Sequence, residues 1–425
     1  MRLESLRITN FKSLKDATFT PESLAVVVGP NNSGKSNLAS AFKFLSEVYE
    51  YGLETAVRRS GGYENIAFRR KRRSKAAIEF EVLIKIEDER KIPSKFNTQI
   101  FSEKVLGNQM QAPFHFQHKF SIQATQQNIN ADFKIVDERF AFYSENGGQI
   151  IYYLQITRKP DGDLDIDTKL PLLGIFSSIG TKQLEVAQYF SVKDEQSLLT
   201  DSFYFDRNIP FKSIIRNWSA YQFNPSTVRS EGVPTPNPTI DRYGNNLPAL
   251  VDWLSKKHKK EWETVLNAIR IIIPGLQNIT TGYLYNKTLG LLFTEEGVEQ
   301  PWTAEEVSDG TILTLAMLCA VADPRKTLVF IEEPENSVHP WIIREILAFL
   351  NQISKNKNIV ITTHSPTIID SVHPAKIWTI ARTKGVSELQ RLIDLDSKIE
   401  RDWENGEYKI SEFIDSGLIP KIVPS

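Results

Sequence analysis

A glycine-rich stretch near the start of the chain carries a lysine and a serine at the spacing that phosphate-binding loops use. Residues 29–36 read GPNNSGKS and fit the pattern G-x-x-x-x-G-K-[ST]. In such a loop, backbone N–H groups at a helix N-terminus bind phosphate oxygens, and the helix dipole favours their charge. We expect Lys35 to reach the β- and γ-phosphates of a nucleotide and the Ser36 hydroxyl to bind Mg²⁺. The alternative is a glycine- and asparagine-rich turn that binds nothing.

The segments that flank this loop supply the strand and the helix that it needs. Residues 24–28, LAVVV, form a mostly β-branched run of buried-strand length. After the loop, apolar residues recur at helical spacing and predict an amphipathic helix that begins at the loop. These residues are Leu38, Ala41, Phe42, Leu45 and Val48. Strand, loop and helix in this order favour a phosphate site over a simple turn.

Two adjacent glutamates follow another apolar run in the C-terminal half. The segment 326–340 reads KTLVFIEEPENSVHP, and residues 328–331 predict a short strand that ends in Glu332 and Glu333. Two carboxylates at the end of a buried strand are costly unless they meet a cation or a hydrogen-bond donor. We assign Glu332 to a metal ion bound with the nucleotide, and Glu333 to polarising an attacking water. A solvent-exposed acidic loop is the alternative.

A histidine and a serine occupy informative places in two other segments. Residues 358–366, NIVITTHSP, predict a further strand, and His364 stands just past its end, where ligands bind in α/β sheets. We expect His364 to hydrogen-bond the γ-phosphate, whereas a lone histidine is more often structural. In residues 305–322, Ser308 or Asp309 is a natural N-cap for an apolar helix. From these residues alone, the cap is the preferred interpretation.

Taken in order, the motifs resemble those of one group of proteins. LRITNFKSLKD (6–16) looks like an opening hairpin, and GPNNSGKSN looks like a Walker A motif. VSDGT looks like a degenerate signature motif, and FIEEPENSVHP looks like a Walker B motif followed by a D-loop. ITTHSP looks like a histidine switch. The set resembles the ATP-binding-cassette-type (ABC-type) ATPase heads of the SMC, RecF and overcoming-lysogenisation-defect (OLD) kind, and the predicted AAA/SMC-like ATPases grouped with them. Weaker matches are FNPSTVR (223–229), DRYGNNLPALVDWL (241–254) and GEYKISEFIDSGLIP (406–420).

The resemblance implies an α/β fold, an ABC-type P-loop ATPase head with a mixed central sheet, an antiparallel β lobe and an α+β insertion. We place an N-terminal ATPase lobe at 1–95, the insertion at 96–285 and a C-terminal ATPase lobe at 286–425. FHFQHKFSIQA and QIIYYLQITR predict strands of the insertion, and residues 248–273 predict a helical stretch. No heptad pattern persists long enough for a long coiled coil.

The resemblance also implies how a nucleotide is held. Two heads dimerise head-to-tail around two ATP molecules, so that the Ser308 turn of one head contacts the γ-phosphate bound by the P-loop of the other. The nucleotide-binding residues implied are Asn31, Asn32, Ser33, Gly34, Lys35, Ser36 and Asn37, with Ser308, Asp309 and Gly310. The catalytic residues implied are Lys35, Glu333 and His364, and the metal ligands are Ser36 and Glu332.

The sequence departs from the family pattern at several points. Glu332 stands where most relatives have aspartate, and VSDGT in place of LSGGQ argues against a transporter subunit. Gln149 and Gln155 are in range of a Q-loop but lack matching flanks, so the Q-loop glutamine stays unassigned. Asp394 and Asp396 have no companion glutamate on a preceding strand. We therefore expect no Toprim nuclease domain of the kind that OLD proteins carry.

Composition and charge limit the location and the partners. The formal net charge is -1, so no global field attracts nucleic acid or membrane. The one cysteine, Cys319, excludes an internal disulfide framework and fits the cytoplasm, and its apolar neighbours predict a packing role. No segment reaches the roughly 18 apolar residues of a membrane span, and the N-terminus does not resemble a signal peptide.

A basic run, RRKRRSK (69–75), is a local candidate for binding nucleic acid. Such runs are usually solvated surfaces, and that is the preferred interpretation here. The functional alternative is contact with phosphate backbones, which would be salt-sensitive and independent of base sequence. The residues concerned are Arg69, Arg70, Lys71, Arg72 and Arg73.

These observations lead to one main hypothesis and two alternatives. The main hypothesis is a homodimeric, Mg²⁺-dependent ATPase whose ATP-driven dimer controls a separately encoded effector such as a nuclease or toxin, by analogy in bacterial anti-phage defence. The first alternative is an ATP-gated scaffold that scarcely hydrolyses ATP. The second is a DNA-repair clamp of the SMC kind that binds DNA ends.

Overall fold

The computed structural model describes most of the chain in two compact units. The described residues are 1–68, 76–87, 113–126, 132–159, 162–168, 197, 210–396, 398–406 and 409–415. The first unit comprises residues 1–22, 32–218 and 381–389, and the second comprises 23–31, 219–380 and 390–425. The phosphate-binding loop therefore begins in the second unit and ends in the first. The three-part division into 1–95, 96–285 and 286–425 stays a prediction.

The first unit is built on antiparallel strands. They are β1 (Arg2–Phe11), β2 (Leu14–Phe19), β4 (Ile78–Ile86), β5 (Phe114–Ala124), β6 (Phe133–Asn146), β7 (Gln149–Arg158) and β8 (Leu164–Thr168). Their order is β8-β7-β6-β5-β4-β1-β2, with each neighbouring pair antiparallel. In β4 every second side chain is buried, because successive side chains of a strand point to opposite faces. The predicted opening hairpin and antiparallel strands are present.

Four helices of the first unit are described. They are α1 (Lys35–Tyr51), α2 (Leu53–Arg59), α3 (Tyr63–Ile66) and α4 (Pro210–Ile215). Helix α1 begins inside the glycine-rich loop, as predicted, and all five of its predicted apolar residues are buried. At its other end, the Tyr49 hydroxyl lies 2.5 Å from His118 Nδ1, and His118 Nε2 lies 3.2 Å from Glu138. This buried polar chain fixes α1 against β5 and β6.

The second unit contains a parallel sheet. Its strands are β3 (Leu24–Val28), β9 (Trp218–Tyr221), β13 (Leu328–Glu332), β14 (Asn358–Thr363) and β15 (Ile377–Thr383). The strand that follows β15 in the chain is β16 (Val386–Arg391). Their order is β15-β3-β14-β13-β9, and β15, β3, β14 and β13 pair in parallel. Every residue of β3, β13 and β14 is buried, which explains their nearly continuous apolar sequences.

A small antiparallel sheet and several helices complete the second unit. The sheet has the order β10 (Leu276–Tyr283), β11 (Leu289–Glu295), β12 (Trp302–Thr303). The helices are α5 (Pro225–Val228), α6 (Leu247–Lys257), α7 (Lys259–Ile272), α8 (Asp309–Ala322), α9 (Pro340–Ile353), α10 (Pro366–Ile369), α11 (Ile399–Glu404) and α12 (Ile410–Asp415), with 3-10 turns at Pro374–Lys376 and Leu392–Asp394. The predicted helical stretch at 248–273 is two helices separated at His258.

Helix α8 is buried on nearly every side, as expected for a helix that is apolar all round. It contains Cys319, which is fully buried, and burial raises the pKa of the Cys319 thiol well above its usual value. The cysteine therefore has the packing role that its neighbours predicted. The longest helix in the described part of the chain, α1, has 17 residues, too short for a coiled-coil arm. None of the described helices combines the length and the apolar character that crossing a membrane requires.

Candidate active site

The motif residues of the second unit gather at one edge of its parallel sheet. In the register of the strands, Val28 lies opposite Thr363, and Thr362 lies opposite Glu332. The chain therefore leaves β3 into the glycine-rich loop beside the ends of β14 and β13, which carry His364 and the two glutamates. The carboxyl ends of parallel strands are where α/β sheets bind their ligands. The fold thus explains why motifs hundreds of residues apart share one edge.

The glycine-rich loop turns sharply into helix α1. Gly34 is the N-cap, with φ 117°, and Asn32 also has a positive φ of 63°. Lys35 and Ser33 are buried, and the Ser33 hydroxyl has no hydrogen-bond partner among the described residues. An unsatisfied buried hydroxyl at a helix N-terminus is ready to contact an anion. This geometry fits the predicted phosphate cradle.

Two serines that the sequence analysis did not select hold this loop. Ser387 Oγ lies 2.6 Å from the Ser33 carbonyl oxygen and 2.7 Å from Ser13 Oγ. The Asn37 side-chain amide donates to Ser13 Oγ over 2.6 Å. Asn37 was predicted to bind nucleotide, and in the structure it fixes the loop to the β1–β2 turn. Its nucleotide contact stays a prediction.

A cation also lies beside the loop. The Arg382 guanidinium donates to the Asn32 side-chain oxygen over 2.8 Å, and Arg382 is exposed. A guanidinium is well suited to phosphate because of its planar array of donors. No sequence signal pointed to Arg382, since it is a single basic residue near the end of β15, some 350 positions away from Asn32.

Glu332 is the last residue of β13, and its side chain is only 3% exposed. Its Oε1 accepts a hydrogen bond from Arg242 Nη2 over 2.6 Å. Arg242 lies in the weakly matching segment 241–254, just before α6, and was not predicted as a site residue. The buried carboxylate thus has the cationic partner that its position demands.

The backbone of Glu333 adopts the left-handed conformation, with φ 48°. A residue with a Cβ pays about 1–2 kcal/mol for this conformation, and such residues cluster at functional sites. The Glu333 N–H donates to the Thr362 carbonyl over 2.9 Å, and Asn336 Nδ2 donates to Glu333 Oε2 over 3.1 Å. These bonds hold the Glu333 backbone against β14 and one of its carboxylate oxygens against Asn336.

Glu335 orients the segment that carries His364. Its Oε1 accepts from Thr363 Oγ1 over 2.6 Å and from the His364 N–H over 3.1 Å. His364 Nδ1 lies 3.5 Å from Glu335 Oε1 and 3.8 Å from Glu333 Oε1, and the ring is exposed. Glu335 Oε2 is buried with no hydrogen-bond partner in the described part of the chain, and so is Thr362 Oγ1. In the sequence, Glu335 stood only within FIEEPENSVHP, the stretch that resembles a Walker B motif with a D-loop, and this role was not predicted.

The signature segment begins helix α8. Ser308, one of the two caps that the sequence allowed, is its N-cap, and the Ser308 hydroxyl accepts from the Thr311 N–H over 3.2 Å. A Cβ at Gly310 would lie 3.2 Å from the carbonyl oxygen of Ser337 in the D-loop. The signature and the D-loop therefore pack directly on each other, and a small residue suits this contact.

Arg229 fixes the start of α8. Its Nη2 lies 2.5 Å from Asp309 Oδ1, and its Nη1 donates to the Ala304 carbonyl. Arg229 closes the weakly matching segment 223–229, so that segment has a structural task at the signature. Asp309, predicted as a nucleotide ligand, is thus engaged within its own unit, and its nucleotide contact stays a prediction.

We expect Arg229→Gln to lower the free energy of unfolding by about 1–3 kcal/mol, because the Ala304 carbonyl loses a charged donor. Arg7→Gln is the matched control, since the Arg7–Asp16 pair is about half exposed on both sides. We expect that control to cost about 0–1 kcal/mol. Urea unfolding followed by circular dichroism measures both. Equal losses would contradict the anchoring role of Arg229.

The remaining predicted features lie elsewhere. The basic run 69–75 is outside the described residues. Gln149 and Gln155 both lie on β7, and nothing in the structure assigns either to a Q-loop. Within the described ranges, no three His, Cys, Asp or Glu side chains converge as a protein-held metal site would require. A Mg²⁺ ion that arrives with nucleotide phosphates needs only one or two protein ligands.

A glycine-rich loop between a parallel strand and a helix, with a carboxylate at the end of a neighbouring strand, is the arrangement of a P-loop nucleotide-binding domain. The chain belongs to the family described as "AAA domain, putative AbiEii toxin, Type IV TA system", whose sequence model matches residues 24–370. That match runs from β3 to just past the histidine switch. No curated protein has a significantly similar sequence.

Several solved structures are similar to this chain. An SMC head bound to the C-winged helix domain of ScpA is 12% identical, covers 92% of this chain and 97% of its own, and has a TM-score of 0.49. The SMC head domain from Thermotoga maritima is 11% identical, with coverages of 92% and 99% and a TM-score of 0.39. An SMC head with an extended coiled coil, bound to the C-terminal domain of ScpA and derived from Pyrococcus furiosus, is 10% identical, with coverages of 96% and 100% and a TM-score of 0.47.

Proposed function

We propose that the protein is a Mg²⁺-dependent ATPase whose nucleotide state controls an assembly with other proteins. The observation that carries the proposal is the edge of the parallel sheet, where the P-loop begins next to the strand ends that carry Glu332, Glu333 and His364. Phosphate-binding amides, a metal carboxylate and a water-activating carboxylate are the parts that phosphoryl transfer to water requires.

The P-loop residues bind the triphosphate in this proposal. The backbone N–H groups at the start of α1 and the Ser33 hydroxyl contact phosphate oxygens, and Lys35 neutralises charge on the β- and γ-phosphates. The positive φ of Gly34 is a conformation that glycine adopts without strain, and its missing Cβ leaves room for Ser387 next to the loop. Asn31, Asn32, Ser36 and Asn37 complete the predicted cradle.

The donors fit a hard cation such as Mg²⁺. Glu332 offers a buried carboxylate oxygen, and Thr362, opposite it in the strand register, offers a hydroxyl that is unsatisfied among the described residues. Mg²⁺ prefers such oxygen ligands, so Glu332 and the Ser36 hydroxyl would hold it. When bound with ATP, the ion neutralises the negative charge that develops on the phosphate oxygens.

Glu333 supplies the general base. In hydrolysis, the water oxygen bonds to the γ-phosphorus, the bond from that phosphorus to the ADP oxygen breaks, and the water proton passes to the Glu333 carboxylate. Asn336 holds Glu333 Oε2, and Oε1, which lies 3.8 Å from His364 Nδ1, would face the water. His364, oriented through Glu335, donates to the γ-phosphate oxygens.

The family context extends the proposal to partners. By the resemblance, two heads share ATP so that the Ser308 turn of one copy reaches the γ-phosphate held by the other, with Asp309 and Gly310 beside it. Loss of that phosphate would then release the dimer. The family description names a toxin and a Type IV toxin–antitoxin system. It supports, as analogy, a cytoplasmic switch in anti-phage defence that controls a separate effector.

The test is ATP binding and steady-state phosphate release by the wild-type protein and by Lys35→Ala, with and without Mg²⁺. We expect the substitution to cost about 2–5 kcal/mol of binding free energy, about 30-fold or more in the dissociation constant. Lys43→Ala is the matched control, because Lys43 lies on the same helix, half exposed and outside the loop. Tight binding with negligible phosphate release would favour the scaffold instead, and no ATP binding at all would overturn the proposal.

A further inference from the structure

At the end of β13, an arginine forms an ion pair with the carboxylate that is proposed to bind the metal ion. Arg242 Nη2 lies 2.6 Å from Glu332 Oε1, with the Glu332 side chain 3% exposed and the Arg242 side chain 25% exposed. Glu332 is the carboxylate that the proposed function assigns to the metal ion. The structure therefore places a second, permanent cation on the same carboxylate.

The two cations compete for one oxygen. A guanidinium stays protonated in proteins, so Arg242 cannot lose its charge to make room. A buried carboxylate needs a cation close by, and Arg242 provides it without a metal ion. A divalent cation at Oε1 would repel the guanidinium strongly at such a short distance. Occupation of Glu332 Oε1 by Arg242 and by a metal ion is thus mutually exclusive.

The surroundings allow the side chain to leave while its backbone stays fixed. Asp241 Oδ1 accepts from the Tyr243 and Asn245 N–H groups over 2.8 and 3.0 Å, so the loop around Arg242 is pinned. Arg242 Nη2 also donates to Gln222 Oε1 over 3.2 Å, a neutral acceptor that does not depend on Glu332. Arg242 Nε is buried without a hydrogen-bond partner among the described residues. The guanidinium is therefore incompletely satisfied in its present place.

We propose that Arg242 gates the metal ligand Glu332: it neutralises the carboxylate in the metal-free protein, and the metal ion of the nucleotide complex must displace it. This inference rests on the proposed function. Arg242 is a positioning residue, because it acts through Glu332. If Arg242 acts in this way, the wild-type protein binds the metal–nucleotide complex more weakly than it would if Glu332 had no arginine partner. The metal-free state is therefore favoured until nucleotide is bound.

The test measures how much a metal ion tightens nucleotide binding. The dissociation constant of AMPPNP is determined calorimetrically in Mn²⁺ and in EDTA, and the ratio of the EDTA value to the Mn²⁺ value isolates the contribution of the metal. We expect Arg242→Gln to raise this ratio about 10-fold, within the usual range of coupling between two ligands. Glu332→Gln should lower it, because the carboxylate ligand is lost.

A second ion pair provides the matched control. Arg325 Nη2 lies 2.6 Å from Asp323 Oδ2, with side-chain exposures of 24% and 2%, and neither residue belongs to the candidate site. Arg325→Gln should destabilise the protein but leave the metal ratio unchanged. Arg242→Lys should give an intermediate ratio, because an ammonium pairs with one carboxylate oxygen without the planar fork. The Arg242→Lys variant keeps the test decisive if Arg242→Gln does not fold.

The outcomes separate the two proposals. If wild-type protein does not bind AMPPNP in either solution, the proposed function fails and this inference fails with it. The other outcome is that the wild-type protein binds AMPPNP, but the ratio of the EDTA to the Mn²⁺ dissociation constant does not rise in Arg242→Gln or in Arg242→Lys. In that case only the gating role is overturned.

Discussion

Replacing Glu333 with glutamine is expected to lower ATP turnover by about 100- to 10,000-fold, the range that a general base contributes. The amide keeps the size of the side chain and can still accept from Asn336, but it cannot take a proton from water. Binding of ATP should change little, because the P-loop is untouched. Steady-state phosphate release and equilibrium binding of ATP, measured on the same preparation, check both parts.

A control variant guards against a general effect of removing negative charge. Glu54→Gln changes an exposed carboxylate on α2 that forms a salt bridge with Arg58, one helical turn further along the same helix. We expect wild-type turnover from this variant. If Glu333→Gln hydrolysed ATP at the wild-type rate, Glu333 would not be the general base. Its left-handed backbone would then have no functional explanation.

The substitution Gly34→Ala is expected to abolish tight nucleotide binding and to lower the free energy of unfolding by about 2–5 kcal/mol. Gly34 has φ 117°, and a Cβ there would lie 2.3 Å from Ser387 Oγ. Ser387 is fully buried and lies within hydrogen-bond distance of Ser13 and of the Ser33 carbonyl, so it cannot move aside freely. Thermal unfolding and ATP binding measure the two effects.

Gly297→Ala separates the backbone effect from the steric one. Gly297 also has a positive φ, 76°, but in the described part of the chain a Cβ there would meet nothing within 4 Å apart from its own chain neighbours. This control should cost only about 1–2 kcal/mol, the penalty of the backbone conformation, and should leave nucleotide binding unchanged. If Gly34→Ala were no worse than Gly297→Ala in either measurement, the contact with Ser387 would not shape the loop.

Local features of the sequence predicted much of the fold. LAVVV became β3 with its predicted bounds, and the apolar spacing after the loop became the buried face of α1. Ser308 caps α8 as its sequence position indicated, because an N-cap bond joins residues only three apart. Alternation and periodicity are short-range signals, so strands, helices and caps could be derived from neighbouring residues.

The contacts that complete the candidate site could not be predicted in this way. Ser387 reaches Ser33 across 354 positions, and Arg242 reaches Glu332 across 90. Each is a single residue without a periodic pattern, and its place depends on which strands become neighbours. Ser387 lies on β16, which pairs with β2, and the loop of Arg242 bonds to Gln222 just after β9. No local signal encodes these pairings. The contact of Glu335 with the His364 segment was not predicted for the same reason, since its hydrogen-bond partners lie at the end of the neighbouring strand β14.

One measurement tests the central claim, that two copies of the chain share ATP through the P-loop of one and the Ser308 turn of the other. The molar mass of the Glu333→Gln variant is determined by light scattering, with and without saturating ATP and Mg²⁺. We expect twice the monomer mass with ATP and a single copy without it. A mass that ATP does not change, in a sample shown to have ATP bound, would contradict it.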